Sequence, residues 1–269
     1  MTKIGRYTIP RAAALAVAAG LGLATAPAQA AAMVTYNGCG AGATYCTLTQ
    51  LLAGGSITVD EDGNGTIEKT FGNWGNYNFM PSGAGNTLSD PASNIRVSAT
   101  GTYIPGVSGS ATLNYTVVNN ALKLAPTLPL GNALSWSAIV DFTFDITSAG
   151  YVPITEQIDK LTGAAVVGPT SGTTSYASFN NTTLDSSGTS MMTDTIALSP
   201  PTTTLMVGNT LDLRARRVKT PAPGIVGTSE ITSFSQTFKQ IVIPEPGTVV
   251  GLLVAGGLGL AMKRRQKDS

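Results

Sequence analysis

Histidine is absent from the 269-residue chain, and cysteine occurs only twice. The lack of histidine excludes serine–histidine–aspartate triads, most catalytic zinc sites and histidine acid–base chemistry. Charged residues are also scarce, at 12% of the chain against roughly 25% in typical soluble domains. The sequence shows no other arrangement of residues that is typical of a catalytic site. We therefore expect a protein that is not an enzyme and has no cofactor, apart from the Ca²⁺ alternative considered below.

Basic residues are concentrated at the two ends of the chain. Seven of the sixteen Lys and Arg lie in residues 1–30 or 241–269, which leaves nine in residues 31–240 against thirteen Asp and Glu. Because nucleic-acid binding needs a basic face, we expect no nucleic-acid partner for this acidic middle. The one basic run there is interpreted as a solvated strand face. It consists of Arg214, Arg216, Arg217 and Lys219.

Residues 1–30 have the three parts of a secretory signal peptide in the expected order. Basic residues come first, followed by an apolar run over residues 12–25 and the small-x-small cleavage site Ala28-Gln29-Ala30. We predict a signal helix that signal peptidase removes after Ala30. The alternative is an uncleaved membrane helix, but its fourteen apolar residues fall short of the roughly 20 that a span needs. The basic residues are Lys3, Arg6 and Arg11.

Residues 241–269 predict a membrane tail. An apolar stretch, 248–262, has fifteen residues and reaches about 22 Å as a helix, whereas a bilayer core is about 30 Å thick. This predicted transmembrane helix is therefore short, and it suits a provisional anchor. The basic end, 263–269, is expected to stay in the cytoplasm, with Lys263, Arg264 and Arg265 as the membrane stop. An extended motif precedes the helix and consists of Pro244, Glu245, Pro246, Gly247 and Thr248.

The order of this motif, a short glycine-rich helix and a basic terminus resembles the PEP-CTERM sorting signal of diderm bacteria. The resemblance implies an exosortase that recognises the motif, a transient stay in the inner membrane, and a final place at the cell surface or outside the cell. It also implies a structural role with exopolysaccharide or biofilm. The same tail has been labelled an ice-binding protein C-terminal domain, which describes the tail only.

The middle of the chain also resembles a family of PEP-CTERM precursors of unknown activity. The likeness covers most of residues 39–248 in short pieces, and it brings no known active site. It supports one domain over residues 31–240. The pieces are Cys46–Val59, Ser93–Val97, Asn114–Val117, Ile154–Glu156, Thr193–Ile196 and Ile231–Phe238.

Ser, Thr, Gly and Asn replace the missing charge, and they favour β-strands joined by polar turns. The pattern predicts an all-β fold, a single antiparallel β-sandwich-like domain; a solenoid is the alternative, but no fixed repeat is present. One helix is predicted, over Thr47–Ala53. The predicted strands are Ser56–Val59, Ile95–Ile104, Ala111–Val118, Leu134–Ile146, Tyr151–Ile158, Ser175–Asn180, Met191–Leu198, Thr203–Val207, Leu211–Val218 and Ile231–Ile243.

Cys39 and Cys46 are expected to form a disulfide, because export places them in an oxidising compartment. The bond would close an eight-residue loop and contribute roughly 2.5 kcal/mol on the chain-entropy model. A catalytic or metal-binding thiol is the alternative.

The acidic segment 60–68 matches the beginning of a calcium loop, with oxygen ligands at alternate positions and glycine at the turn. Phe71 stands at the twelfth position, where a bidentate carboxylate is needed. A plain hairpin turn is the alternative, since Asp-Gly and Asn-Gly favour such turns. The candidate Ca²⁺ ligands are Asp60, Asp62, Asn64, Thr66 and Glu68.

Trp74 lies in an aromatic and amide-rich stretch, 71–79, and is a candidate for stacking on a sugar, although such rings also fill cores. Trp136 is expected to fill the core. A glycosidase pair drawn from the acidic side chains of the middle has no supporting spacing, because Asp141 and Asp145, four residues apart on one strand face, are expected to lie roughly 13 Å apart. Those side chains are Asp141, Asp145, Glu156 and Asp159.

Overall fold

The computed structural model describes residues 31–83, 86, 88–104, 107–125, 134–148, 153–166, 174–185, 192–217 and 228–241. The signal peptide predicted at 1–30 and the motif, helix and basic end predicted at 244–269 lie outside these residues. Within the described ranges, no helix has the length and apolar character needed to cross a membrane.

The described chain is almost entirely β-structure, which confirms the all-β prediction. One short helix, α1 (Leu48–Leu52), and one 3-10 turn (Ala92–Asn94) interrupt the strands. The strands are β1 (Met33–Asn37), β2 (Cys46–Thr47), β3 (Ser56–Asp60), β4 (Lys69–Ser82), β5 (Ile95–Ile104), β6 (Ser108–Val117), β7 (Lys123–Leu124), β8 (Leu134–Ser148), β9 (Ile154–Val166), β10 (Thr174–Phe179), β11 (Thr182–Asp185), β12 (Thr193–Thr202), β13 (Thr204–Arg217) and β14 (Thr228–Ile241).

Two antiparallel sheets pack face to face. The first has the order β1-β3-β4-β8-β13-β10-β11, and the second has the order β12-β9-β14-β6-β5-β2, with β7 paired to β14. Aromatic side chains cross the interface: Phe71 of β4 contacts Phe238 of β14, and Phe179 of β10 contacts Phe234 of β14. Apolar area removed from water between two such sheets is the main source of stability. The β-sandwich architecture follows from these contacts.

Strand β8 shows why the alternating pattern was informative. Val140, Phe142, Phe144 and Ile146 are all buried in the core, as the alternation predicted for one face of this strand. The intervening side chains face outward. Because β8 is central in the first sheet, with β4 on one side and β13 on the other, it needs one fully apolar face.

Helix α1 confirms the helix predicted over Thr47–Ala53, with those two residues as its caps. The Thr47 hydroxyl accepts from the Gln50 backbone N–H, and the Gln50 side chain accepts in return from the Thr47 N–H. This reciprocal capping box explains why so short a segment is helical.

Three differences from the predicted strands stand out. The predicted segments Thr203–Val207 and Leu211–Val218 are joined in the structure, since the single strand β13 runs from Thr204 to Arg217 and pairs with β8 without interruption. The prediction had separated them at residues 208–210. Strands β1 and β4 were not predicted. Strand β4 was missed because it is rich in Gly and Asn, which are typical of turns.

Candidate functional site

The acidic loop, residues 60–68, connects β3 to β4. It brings three carboxylates together: one oxygen each from Asp60, Asp62 and Glu68 lies within 4.8 Å of the others. These three belong to the predicted Ca²⁺ ligand set. Oxygen atoms grouped at this separation are the arrangement that a hard divalent cation uses.

The same loop is also a well-satisfied hairpin connection. The Asp60 carboxylate accepts from the backbone N–H groups of Gly63, Asn64 and Gly65 at 2.6, 3.2 and 2.7 Å. Both glycines have positive φ, 70° and 91°, which the turn requires. Strands β3 and β4 pair antiparallel on either side, so the geometry agrees with the hairpin interpretation.

Two of the predicted ligands serve the turn. The Asn64 side-chain oxygen accepts from the Thr66 N–H at 2.6 Å, and the Asn64 amide donates to Asp62 at 2.8 Å. Phe71, at the twelfth position, is buried between the sheets against Phe144 and Phe238. The structure therefore gathers the carboxylates of the predicted set and assigns its amide to internal hydrogen bonds.

Crowding among these carboxylates is visible in the pKa of Glu68. Burial raises this pKa above its usual 4.5, and the nearby negative charges of Asp62, Asp60 and Glu61 raise it further. The hydrogen bond that Glu68 accepts from the Glu61 N–H, at 2.6 Å, opposes the shift. A bound cation would relieve the same repulsion.

A buried ion pair lies directly behind the loop. Glu61 contacts the Lys69 ammonium, and both side chains are fully buried. Glu61 also accepts from the Gln240 amide at 2.9 Å, and Gln240 accepts from the Ser148 hydroxyl at 3.2 Å. Burial raises the pKa of Glu61 and lowers the pKa of Lys69, against the attraction between the two charges. This network joins the two sheets, since Lys69 belongs to the first and Gln240 to the second.

Sequence reasoning missed this network. Lys69 and Gln240 resemble the polar residues of a solvated strand end. One signal in the sequence could have revealed the network. Lys69 is two residues from Phe71 and so shares its strand face, which places the lysine between the sheets.

Trp74 corrects the sugar-contact prediction. Its side chain is only 6% exposed, and its ring stacks on Phe144 at 4.6 Å and on Phe142 at 6.2 Å between ring centroids. A sugar platform needs an open ring face, and a ring at this depth does not offer one. Trp136 is buried as expected.

The structure confirms the disulfide between Cys39 and Cys46. Both cysteines are buried, and the Gln50 amide donates to the Cys39 carbonyl at 3.3 Å. The closed loop is thereby tied to the first turn of α1. A free thiol for catalysis or metal binding is excluded for these two residues, which are the only cysteines in the chain.

The four acidic side chains weighed for a glycosidase do not converge. Asp141 accepts from the Thr210 hydroxyl on the outer face of the first sheet, and Glu156 forms an exposed ion pair with Lys239 on the second. Asp145 accepts from the Asn73 amide on the outer face. Asp159 is buried between the sheets.

Asp159 marks a second site, which the sequence did not indicate. A pocket of about 440 Å³ opens at the edge of the sandwich, between β13, β9, β12 and the β10–β11 turn; we call it the edge pocket. Asp159 and Gln157 of β9 lie on its wall, opposite Gly208 and Thr210 of β13.

Comparison with protein-family models, with curated proteins and with solved structures found no match to this chain. The case for function therefore depends on the residues themselves and on the geometry above.

Proposed function

We propose that this protein is an exported, non-enzymatic surface or matrix protein that an exosortase sorts through its C-terminal motif and that associates with exopolysaccharide. Its partners during export would be signal peptidase, exosortase and, transiently, the inner membrane. The observation that carries the proposal is the position of the motif. The last described strand ends at Ile241, so in sequence the motif at 244–248 lies between the folded domain and an apolar stretch.

Two features of the domain support the proposal. A disulfide persists in the oxidising compartments that exported proteins reach, and it is rare in the cytosol. Only Val242 and Ile243 separate Ile241 from Pro244, and these three residue steps span about 10 Å at most, so a membrane-bound protease would meet the motif close to the domain. The sequence supports an extended motif, because Pro244 and Pro246 restrict the backbone to extended conformations, the form that a protease binds.

Cell fractionation tests the sorting step. We expect the wild-type chain to lose its tail and reach the surface or medium, and the triple variant Pro244→Ala/Glu245→Ala/Pro246→Ala to stay in the inner membrane. Sequencing the C-terminus of the mature protein, in cells with and without exosortase, locates the cleavage. Surface-located protein that keeps its tail in both strains would contradict the proposal.

A second candidate function is a Ca²⁺-assisted adhesion module. One observation favours it, the convergence of the Asp60, Asp62 and Glu68 carboxylates. We expect weak binding, because Phe71 occupies the position of the missing bidentate ligand.

Replacing Glu68 with glutamine tests both the site and its electrostatics. In Ca²⁺-free buffer at pH 7 we expect Glu68→Gln to raise the melting temperature by about 1–2 °C. Because the folded-state pKa of Glu68 is raised, the folded chain binds this proton more tightly than the unfolded chain. The stability that protonated Glu68 contributes is therefore complete below about pH 4.5 and is lost as the pH rises. The gain in melting temperature from Glu68→Gln should accordingly vanish near pH 4.

With millimolar Ca²⁺, calorimetry should detect heat and a higher melting temperature for the wild type but not for Glu68→Gln. Glu156→Gln, which changes a partly exposed carboxylate on the second sheet, is the matched control. Wild-type protein that shows no heat and no thermal shift with Ca²⁺ would rule out the adhesion module.

A further inference from the structure

The edge pocket exists because two strands of the first sheet differ in length. Strand β10 pairs with β13 only from Leu211 to Arg216, so residues 204–210 of β13 have no neighbour on that side among the described strands. The β10–β11 turn closes the unpaired stretch of β13 at its Thr210 end, where the Thr210 N–H donates to the Asn180 side chain at 3.0 Å. The Asn180 N–H donates in turn to the Thr210 carbonyl at 2.9 Å.

The open strand edge offers backbone hydrogen-bonding groups to the pocket. Both main-chain groups of Thr210 point toward Asn180. Because backbone groups repeat their direction every second residue in a strand, those of Gly208 and Met206 point the same way. A Cβ placed on Gly208 would meet no atom within 4 Å, so this part of the wall is open space.

On the opposite wall, Asp159 is a buried carboxylate that is held by neutral donors. It accepts from the amides of Gln157, Gln236 and Asn180 at 2.9, 3.1 and 2.8 Å. None of the four ion pairs among the described residues includes it. Buried charges are normally paired, whereas this one lies fully buried behind the pocket wall with only neutral amides as donors.

The same network leaves one donor unused. The Asn180 amide also donates to the Asn209 side-chain oxygen at 3.3 Å, and the Asn209 amide nitrogen is buried without a partner among the described residues. Apolar atoms complete the pocket, from Ile196, Val207 and Met206; the last of these is 70% exposed at the rim.

A hexose ring matches this lining. Sugar hydroxyls both donate and accept hydrogen bonds, so they can pair with side-chain amides, a carboxylate and the backbone groups of a strand edge. The C–H faces of the ring can pack on apolar side chains. Asp159 selects against a second negative charge, so a uronic acid would be repelled, whereas a protonated amino sugar would be attracted. A pocket of about 440 Å³ has room for one or two sugar units.

We propose that the edge pocket binds a neutral or amino hexose unit of a polysaccharide. The proposal rests on the proposed association with exopolysaccharide, and it specifies the site and the sugar class. Gly208→Leu is the test variant, because Gly208 lines the pocket and an added Cβ there would meet no atom of the folded chain within 4 Å. Thr100→Leu is the matched control, since it adds the same side chain to an exposed position on the other sheet.

The full-length chain would be purified in a zwitterionic detergent that has no sugar headgroup. Saturation-transfer NMR would then probe glucose, galactose, mannose, glucosamine and glucuronic acid, and a pull-down would probe exopolysaccharide from the producing cells. We expect at least one neutral or amino hexose to bind, Gly208→Leu to weaken it about tenfold or more, and Thr100→Leu to leave it unchanged. Melting curves verify that both variants fold.

The outcomes separate this inference from the proposed function. If exopolysaccharide binds wild type and Gly208→Leu equally, the edge pocket is not the site, but the matrix association stands. If glucuronic acid alone binds, the assigned sugar class is wrong. If neither the sugars nor the exopolysaccharide binds the wild type, both proposals fail.

Discussion

Replacing Lys69 with methionine is expected to lower the free energy of unfolding by about 3–5 kcal/mol. Methionine is unbranched like lysine and only one heavy atom shorter, so the main change is the loss of the charge. Glu61 would then be left fully buried, with the Gln240 amide as its remaining side-chain donor. An unpaired buried carboxylate must either be desolvated as a charge or take up a proton, and both alternatives destabilise the fold.

Denaturant titration measures this effect, and two control variants separate it from loss of packing. The double variant Glu61→Gln/Lys69→Met removes both charges, and we expect it to recover most of the loss. Lys239→Met breaks an exposed ion pair with Glu156 and should cost less than about 1 kcal/mol. A Lys69→Met protein as stable as the wild type would show that the pair contributes nothing to the closure of the sandwich.

Replacing Trp74 with alanine is expected to lower the free energy of unfolding by about 3–5 kcal/mol. The indole lies between the sheets and stacks on Phe142 and Phe144, so its removal leaves a cavity in the aromatic core. A surface platform would behave differently: its removal would abolish ligand binding and leave stability almost unchanged.

Two further variants make this test specific. Trp74→Phe keeps an aromatic ring in the core, and we expect a clearly smaller loss of stability together with unchanged sugar binding. Tyr45→Ala removes a partly exposed ring under Arg96 and should cost less than about 1 kcal/mol. If Trp74→Phe stays fully stable but loses sugar binding, then Trp74 contacts the ligand and our correction is wrong.

Much of the fold was predictable from period and turn chemistry. Strand Ile95–Ile104 matches its predicted bounds, and β8 extends only two residues beyond its predicted end. Both segments alternate apolar with polar residues, which identifies a strand with one buried face. Strand β4 was missed because Asn73 and Asn76 adopt positive φ at irregularities of its pairing with β8, and such residues indicate a turn when read from sequence.

The buried Glu61–Lys69 pair and the edge pocket were less predictable than the fold, and the reason is the same for both. Gln157, Asp159 and Lys69 point inward although their residue types are typical of surfaces. Two of the buried networks are completed from far along the chain: Gln236 lies 77 positions from Asp159, and Gln240 lies 179 positions from Glu61. Local pattern carries no information about such partners. The acidic loop was found because its ligand pattern is local.

The position of β14 has a consequence for how this chain is made. Strand β14 is the last described strand, and it separates β9 from β6 in the middle of the second sheet. Thr112 and Thr237, which share a hydrogen bond across β6 and β14, are 125 positions apart. During synthesis, the earlier strands of that sheet have no common partner until residues near 241 have emerged. The second sheet therefore closes late, and pairings this distant in sequence are expected to make its folding slow.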